Sequence, residues 1–184
     1  DGLDVAACVD VGRQVASALV ALHAKGALHR GIKPANIMLA APDTLDVKLL
    51  DLGIVSLVHE KSVTEGSLVV GSKHTSAPEQ LFGDPIDQRA DIYGLGATLA
   101  HCWLGRPLYD DAGPVTAIVR KMLEAPERVR VPKRASPVVR TFLEFVNRCT
   151  RISPDDRPES AEACLATLDQ LAAKLHKRTK RGRG

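Results

Sequence analysis

The spacing of apolar residues predicts a mainly α-helical (α+β) domain of about five helices with one small two-stranded hairpin. Three observations carry that expectation. Apolar positions recur at helical intervals in five stretches, two short apolar runs near Pro34 and Pro42 are too brief for helices, and turn residues punctuate the rest. With 184 residues and 45% hydrophobic content, the chain supports one well-buried core and is too short for two ordinary domains.

The first helix is read from Val11, Val15, Ala18, Leu19 and Leu22, which fall on one face, with Gly26 placed where a helix end favours a left-handed residue. Ile37-Met38-Leu39 and Val47-Lys48-Leu49-Leu50, split by Pro42 and Asp43, predict the hairpin. Residues 54–79 show no sustained period and read as a long surface segment. Periodicity returns with Ile92, Leu95, Leu99 and Cys102 or Trp103 on one face of a helix that ends near Gly105 and Pro107. Val115, Ile118, Val119 and Met122 predict the next, stopped by Pro126. Ser136 before Pro137 reads as an N-cap with proline at the first helical position, leading into Val139, Phe142, Phe145, Val146 and Cys149. A last helix starts at Ser160, where Glu162 favours the positive end, and carries Cys164, Leu168, Leu171 and Leu175.

No apolar run approaches the ~18 residues that cross a bilayer, and no charged-then-apolar leader opens the chain, so neither a span nor a signal peptide is expected and the location expected is cytoplasmic. The chain begins at Asp1 with helix-like sequence at once, which leads us to expect a preceding segment. Cys8, Cys102, Cys149 and Cys164 lie far apart without metal-ligand spacing, the pattern of reduced core thiols. Of the net charge of +3, six positive charges (Lys174, Lys177, Arg178, Lys180, Arg181 and Arg183) sit in the last eleven residues. We therefore divide the chain into a lobe, 1–173, and a basic tail or linker, 174–184. With 3% aromatic residues there are few platforms for base stacking, and nucleic acid is not expected as a ligand.

The chemistry concentrates in His29-Arg30-Gly31-Ile32-Lys33-Pro34-Ala35-Asn36, followed beyond an apolar run by Asp51-Leu52-Gly53. Asn36 and Asp51, on either side of the hairpin, supply two oxygen donors, and magnesium takes oxygen ligands while keeping water and phosphates for its other positions. Together with Ala77-Pro78-Glu79, Asp87 to Gly105 and Asp156-Arg157-Pro158, these motifs resemble the C-terminal lobe of a bacterial-type serine/threonine protein kinase, from residue 1 to about Leu175.

The resemblance implies ATP and magnesium as cofactors, held in part by Asn36 and Asp51, and a protein hydroxyl as substrate, with Lys33 contacting the transferred phosphate. It implies a buried Asp91 in the central helix, a buried Glu79–Arg157 ion pair, and an Arg30 that binds a phosphorylated residue of the activation segment, for which Thr64 and Ser67 are the candidates. Three departures follow. Gly31 occupies the position of the aspartate that accepts the substrate proton, a role that typically contributes about 10²–10⁴-fold. Thr75 stands where the family has a tyrosine. The glycine-rich phosphate loop and its lysine belong before residue 1, and Gly94-Leu95-Gly96 reads as close helix packing instead.

Three functions follow from these residues. The chain is a partial kinase domain with little or no phosphotransfer, a pseudokinase module that binds a partner kinase or scaffold, or a degenerate fragment exposing its apolar cleft. Nucleotide is expected only with an N-terminal lobe, and membrane contact only through a segment beyond this chain.

Overall fold

The computed structural model describes residues 2–40, 45–51, 73–109 and 113–181. Six helices and one antiparallel hairpin occur among them, in the order α1 (Val5–His23), β1 (Ile37–Leu39), β2 (Val47–Leu49), α2 (Pro78–Phe82), α3 (Gln88–Leu104), α4 (Val115–Glu124), α5 (Pro137–Cys149) and α6 (Ala161–Arg181).

Side-chain caps set several of the boundaries. Asp4 Oδ1 accepts from the Ala7 amide at 2.8 Å, Asp87 Oδ1 from Arg89 at 2.8 Å, and Ser136 Oγ from Val139 at 3.4 Å, each satisfying an amide that the first helical turn leaves unpaired. At the other ends, Gly83 and Gly105 adopt φ of 76° and 70°, where any side chain would be strained, and Gly26 has φ of 70° just past α1. In the hairpin Ile37 pairs with Leu49, Met38 with Lys48 and Leu39 with Val47.

α3 forms the axis of the lobe. One apolar face is the sequence expectation, yet every residue from Ala90 to Ala100 is buried, because α1, α5, α6 and the loop before β1 surround it on all sides. Its two glycines permit that crowding. A β-carbon on Gly94 would lie 2.9 Å from Ile32 Cβ, and one on Gly96 would lie 2.4 Å from Cys149 Cβ. The close-packing reading of Gly94-Leu95-Gly96 therefore holds.

α1 corrects another expectation. By length and composition Val5–His23 is apolar enough to cross a membrane, although Asp10, Arg13 and Gln14 interrupt it. Its apolar face (Cys8, Val9, Val11, Val15, Ala16 and Leu19) is spent on the core, against α6 and α3. Gly12 brings α1 within 3.2 Å of Leu99 and 3.3 Å of Leu168, measured from where a β-carbon would sit. Cys8, Cys149 and Cys164 are buried free thiols and Cys102 is partly buried, as expected of core cysteines. Burial pushes the Cys8 thiol up to about 12, so it stays protonated and inert.

Within the segment 54–79, residues 54–72 lie outside the described residues. From Thr75 to Glu79 the chain is not a surface segment. Thr75, Ala77, Pro78 and Glu79 are buried, and α2 begins at Pro78. α6 continues without a break past residue 173 to Arg181.

Candidate functional site

Asp91, one turn into α3, organises the loop that precedes β1. It is 2% exposed, and its carboxylate accepts from the Arg30 amide at 2.7 Å through Oδ1 and from the His29 amide at 2.8 Å through Oδ2. The His23 ring, at the end of α1, completes the set with Nε2 2.9 Å from Oδ2. A buried carboxylate needs this much compensation. Those bonds hold Arg30 at φ of 60°, a conformation that costs a side-chain-bearing residue of order 1–3 kcal/mol. From the other side, Gln80 Nε2 donates to the Arg30 carbonyl at 3.0 Å while its Oε1 accepts from Ala77 at 2.9 Å.

The buried His29 ring joins the loop to the hairpin. Nε2 donates to the Leu50 carbonyl at 3.0 Å and Nδ1 accepts from the Gly31 amide at 3.3 Å, so its two partners fix the neutral tautomer. Asn36 closes the ring. Its Nδ2 donates to the Gly31 carbonyl at 2.9 Å, and its own carbonyl accepts from the Leu50 amide at 2.8 Å. Gly31 is thus held through both backbone groups.

A β-carbon at Gly31 would meet Asn36 Nδ2 at 3.6 Å and His29 Nδ1 at 3.7 Å, ordinary contact distances, and its φ lies outside the left-handed range. Neither space nor backbone geometry demands glycine there.

The loop bonds bring Asn36 next to the chain segment that carries Asp51. With Nδ2 committed to Gly31, Asn36 keeps its carboxamide oxygen as a donor, and exposed Asp51, at φ of 55°, keeps a carboxylate. Asn36 is 8% exposed and Asp51 is exposed; two hard oxygen donors of this kind fit magnesium, which needs few protein ligands when phosphates and water supply the rest. Among the described residues no group of three or more His, Cys, Asp or Glu side chains gathers into a metal cage. Lys33 is partly exposed on the same loop, two residues beyond Gly31.

Below the loop, Arg157 is bound on every donor. Its two terminal nitrogens reach Glu79 at 2.6 and 2.8 Å, and it also donates to the carbonyls of Arg151 at 2.8 Å, Ile152 at 2.8 Å and Arg89 at 2.9 Å. The guanidinium lies 5.0 Å from the centre of the Tyr93 ring. Glu79 and Arg157 are therefore paired and buried, as the resemblance implies. Thr64 and Ser67, like Leu52, Gly53 and Val70 to Ser72, lie outside the described residues. Sequence reasoning missed His23 and Gln80. Gln80 had one local signal: it is the third residue of a helix opened by proline, from which an amide side chain reaches back to the cap.

A mainly helical lobe whose central helix pins a His-Arg-Gly loop through a buried aspartate, with a carboxylate–guanidinium bolt beneath, has the build of a kinase-type C-terminal lobe. The chain belongs to the protein kinase family, whose domain matches residues 2–167. It is 32% identical over 163 residues to the probable serine/threonine-protein kinase of Clostridium acetobutylicum, covering 89% of this chain and 24% of that protein. Mycobacterium tuberculosis contributes two relatives. The serine/threonine-protein kinase PknE is 34% identical over 166 residues (88% of this chain, 29% of that protein), and PknF is 40% identical over 124 residues (65% and 26%). The chain spans about a quarter of the length of the curated relatives it matches.

Proposed function

We propose that this chain is the C-terminal lobe of a serine/threonine protein kinase domain in which transfer of the ATP γ-phosphate to protein hydroxyls is strongly impaired at Gly31. One observation carries the reading. The Gly31 backbone is held at both its amide and carbonyl with room for a β-carbon, so what the position lacks is a functional group and not a tolerable geometry.

In the wild-type loop Asn36 and Asp51 would hold magnesium beneath the nucleotide phosphates, and Lys33 would face the transferred group. Magnesium and ATP supply charge neutralisation and the phosphoryl donor. The bonds from the His29 and Arg30 amides to Asp91 and from the Asn36 side chain to the Gly31 carbonyl hold the loop, and the buried Glu79–Arg157 pair supports it. No carboxylate stands at position 31 to orient a Ser or Thr hydroxyl and take its proton. Restoring one by Gly31→Asp, in the longest natural form of the protein with magnesium, ATP and a protein substrate, raises turnover by about 10²–10⁴-fold. An unchanged rate refutes the role given to that position.

A binding-module reading is favoured by the same frame, because every bond that shapes the loop persists around Gly31. Calorimetry with magnesium and ATP separates the two: binding without turnover supports the module. A fragment reading draws on the hairpin, where Met38 is 46% and Leu39 49% exposed, with Leu50 beside them at 37%. By the hairpin register Met38 and Leu50 share one face and Leu39 lies on the other; exposed apolar surface of this kind is what the fragment reading needs, and a monomer of this chain that unfolds cooperatively in solution counts against that reading.

A further inference from the structure

Two helices grip the strained residue Arg30 through its two backbone polar groups. The Arg30 amide donates to Asp91 of α3 at 2.7 Å, and the Arg30 carbonyl accepts from Gln80 Nε2 of α2 at 3.0 Å. Between those bonds the residue keeps its φ of 60°. Gln80 Oε1 serves a different partner, accepting from the Ala77 amide at 2.9 Å in the reach-back half of a capping box. One carboxamide therefore joins the start of α2 to the Gly31 loop, fifty residues away in the chain.

The Arg30 carbonyl and the Gly31 amide belong to one planar peptide unit, so a bond at either end orients both. The Gly31 amide reaches His29 Nδ1 at 3.3 Å, a long bond, whereas the Gln80 bond at 3.0 Å has the usual length. Gly31 adds no side chain to resist rotation of the unit, since glycine adopts either sign of φ. Gln80 is therefore the firmer hold. Downstream, the Gly31 carbonyl accepts from Asn36 Nδ2 at 2.9 Å, so a shift of Gly31 reaches the Asn36 carboxamide.

We propose that Gln80 is a positioning residue for this loop: its Nε2 sets the orientation of the Arg30–Gly31 peptide unit and, through Gly31, the bonds made by the His29 ring and the Asn36 carboxamide. A displacement of α2 is thereby passed to Gly31 and Asn36 through one side chain. The consequence for phosphoryl transfer rests on the role proposed above for the loop, but the bond path itself does not and is read without nucleotide. A side chain that only capped α2 would need the Oε1 acceptor alone, which a glutamate supplies equally well. The bond donated to Arg30 is what demands an amide.

The test is NMR of the nitrogen-labelled full chain without nucleotide, comparing wild type with Gln80→Glu and Gln80→Leu. Gln80→Glu keeps an acceptor for the Ala77 amide and loses the donor to the Arg30 carbonyl, while Gln80→Leu loses both. In Gln80→Glu the Gly31 amide resonance is expected to shift and its exchange with water to quicken about tenfold, near the upper end of what one lost hydrogen bond gives. His29 Nδ1 and the Asn36 side-chain amide shift with it, and Ala77 keeps its protection. In Gln80→Leu, Ala77 loses protection as well. Melting curves establish that the variants fold; Gln80→Leu keeps the test decisive if Gln80→Glu does not, since Gly31 and His29 must still shift while α3 and α5 stay protected. Signals of Gly31, His29 and Asn36 that remain in place overturn the proposal. So does a loss of protection spread over every helix, which reduces Gln80 to a general stabiliser of the lobe.

Discussion

Replacing Glu79 with alanine removes one half of a pair sealed inside the lobe, where Arg157 is 0% and Glu79 7% exposed at the side chain. Two charge-assisted bonds of 2.6 and 2.8 Å disappear, and the guanidinium keeps its charge with only three carbonyl partners. Breaking a buried pair from one side costs about 3–5 kcal/mol, because a desolvated charge is left without its counterion. At roughly 2–4 °C per kcal/mol for a chain of this size, the melting temperature falls by about 6–20 °C. Glu79→Gln retains shape and an acceptor and loses less. An isolated buried pair is often replaced by apolar residues without penalty, but the double variant Glu79→Leu with Arg157→Met also orphans the carbonyls of Arg89, Arg151 and Ile152. It therefore stays less stable than wild type. Urea unfolding followed by circular dichroism measures all three, with the slope checked for constancy. A loss below about 1 kcal/mol in Glu79→Ala, less than the typical net worth of one hydrogen bond to a charged group, or a double variant as stable as wild type, refutes the reasoning.

Two further expectations concern α3. Gly96→Ala improves intrinsic helix propensity by about 0.8–1 kcal/mol, yet its β-carbon meets Cys149 Cβ at 2.4 Å, and overpacking of about 1–3 kcal/mol makes the net effect a lowered urea midpoint. A raised midpoint would show that α5 gives way freely. Asp87→Ala removes the N-cap and costs about 0.5–2 kcal/mol. Hydrogen bonding from Arg89 holds the Asp87 carboxyl below its ordinary value, so its contribution is present above the unfolded carboxylate range and is lost as pH falls through the folded value. Asp87→Asn still caps but does not titrate. The stability gap between wild type and Asp87→Asn should therefore shrink as pH falls from about 7 to below about 3.9, and a constant gap contradicts the assignment.

The helices other than α2, and the hairpin, were legible because their signals are local: a repeating apolar spacing, a capping residue, a glycine or proline at the end. The Gly31 loop and Asn36 were legible as a motif, and Glu79 with Arg157 through family resemblance. α2 left no periodic trace, since a helix of five residues is too short to show one. Burial of α3 on every side was equally hidden, because an apolar stretch does not disclose how many neighbours will cover it.

What the sequence alone determined is the order of elements, the family, and the absence of a carboxylate at position 31. Only the tertiary structure decided that Asp91 binds the amides of His29 and Arg30, more than sixty residues away in the chain, and that the His29 ring is neutral between Gly31 and Leu50. The same packing turned Leu81, Phe82 and Leu123 into one groove. The physical reason is that propensity, capping and periodicity act within a few residues. A buried carboxylate, a tautomer or a groove depends on which distant groups arrive at the same place when the chain closes its core.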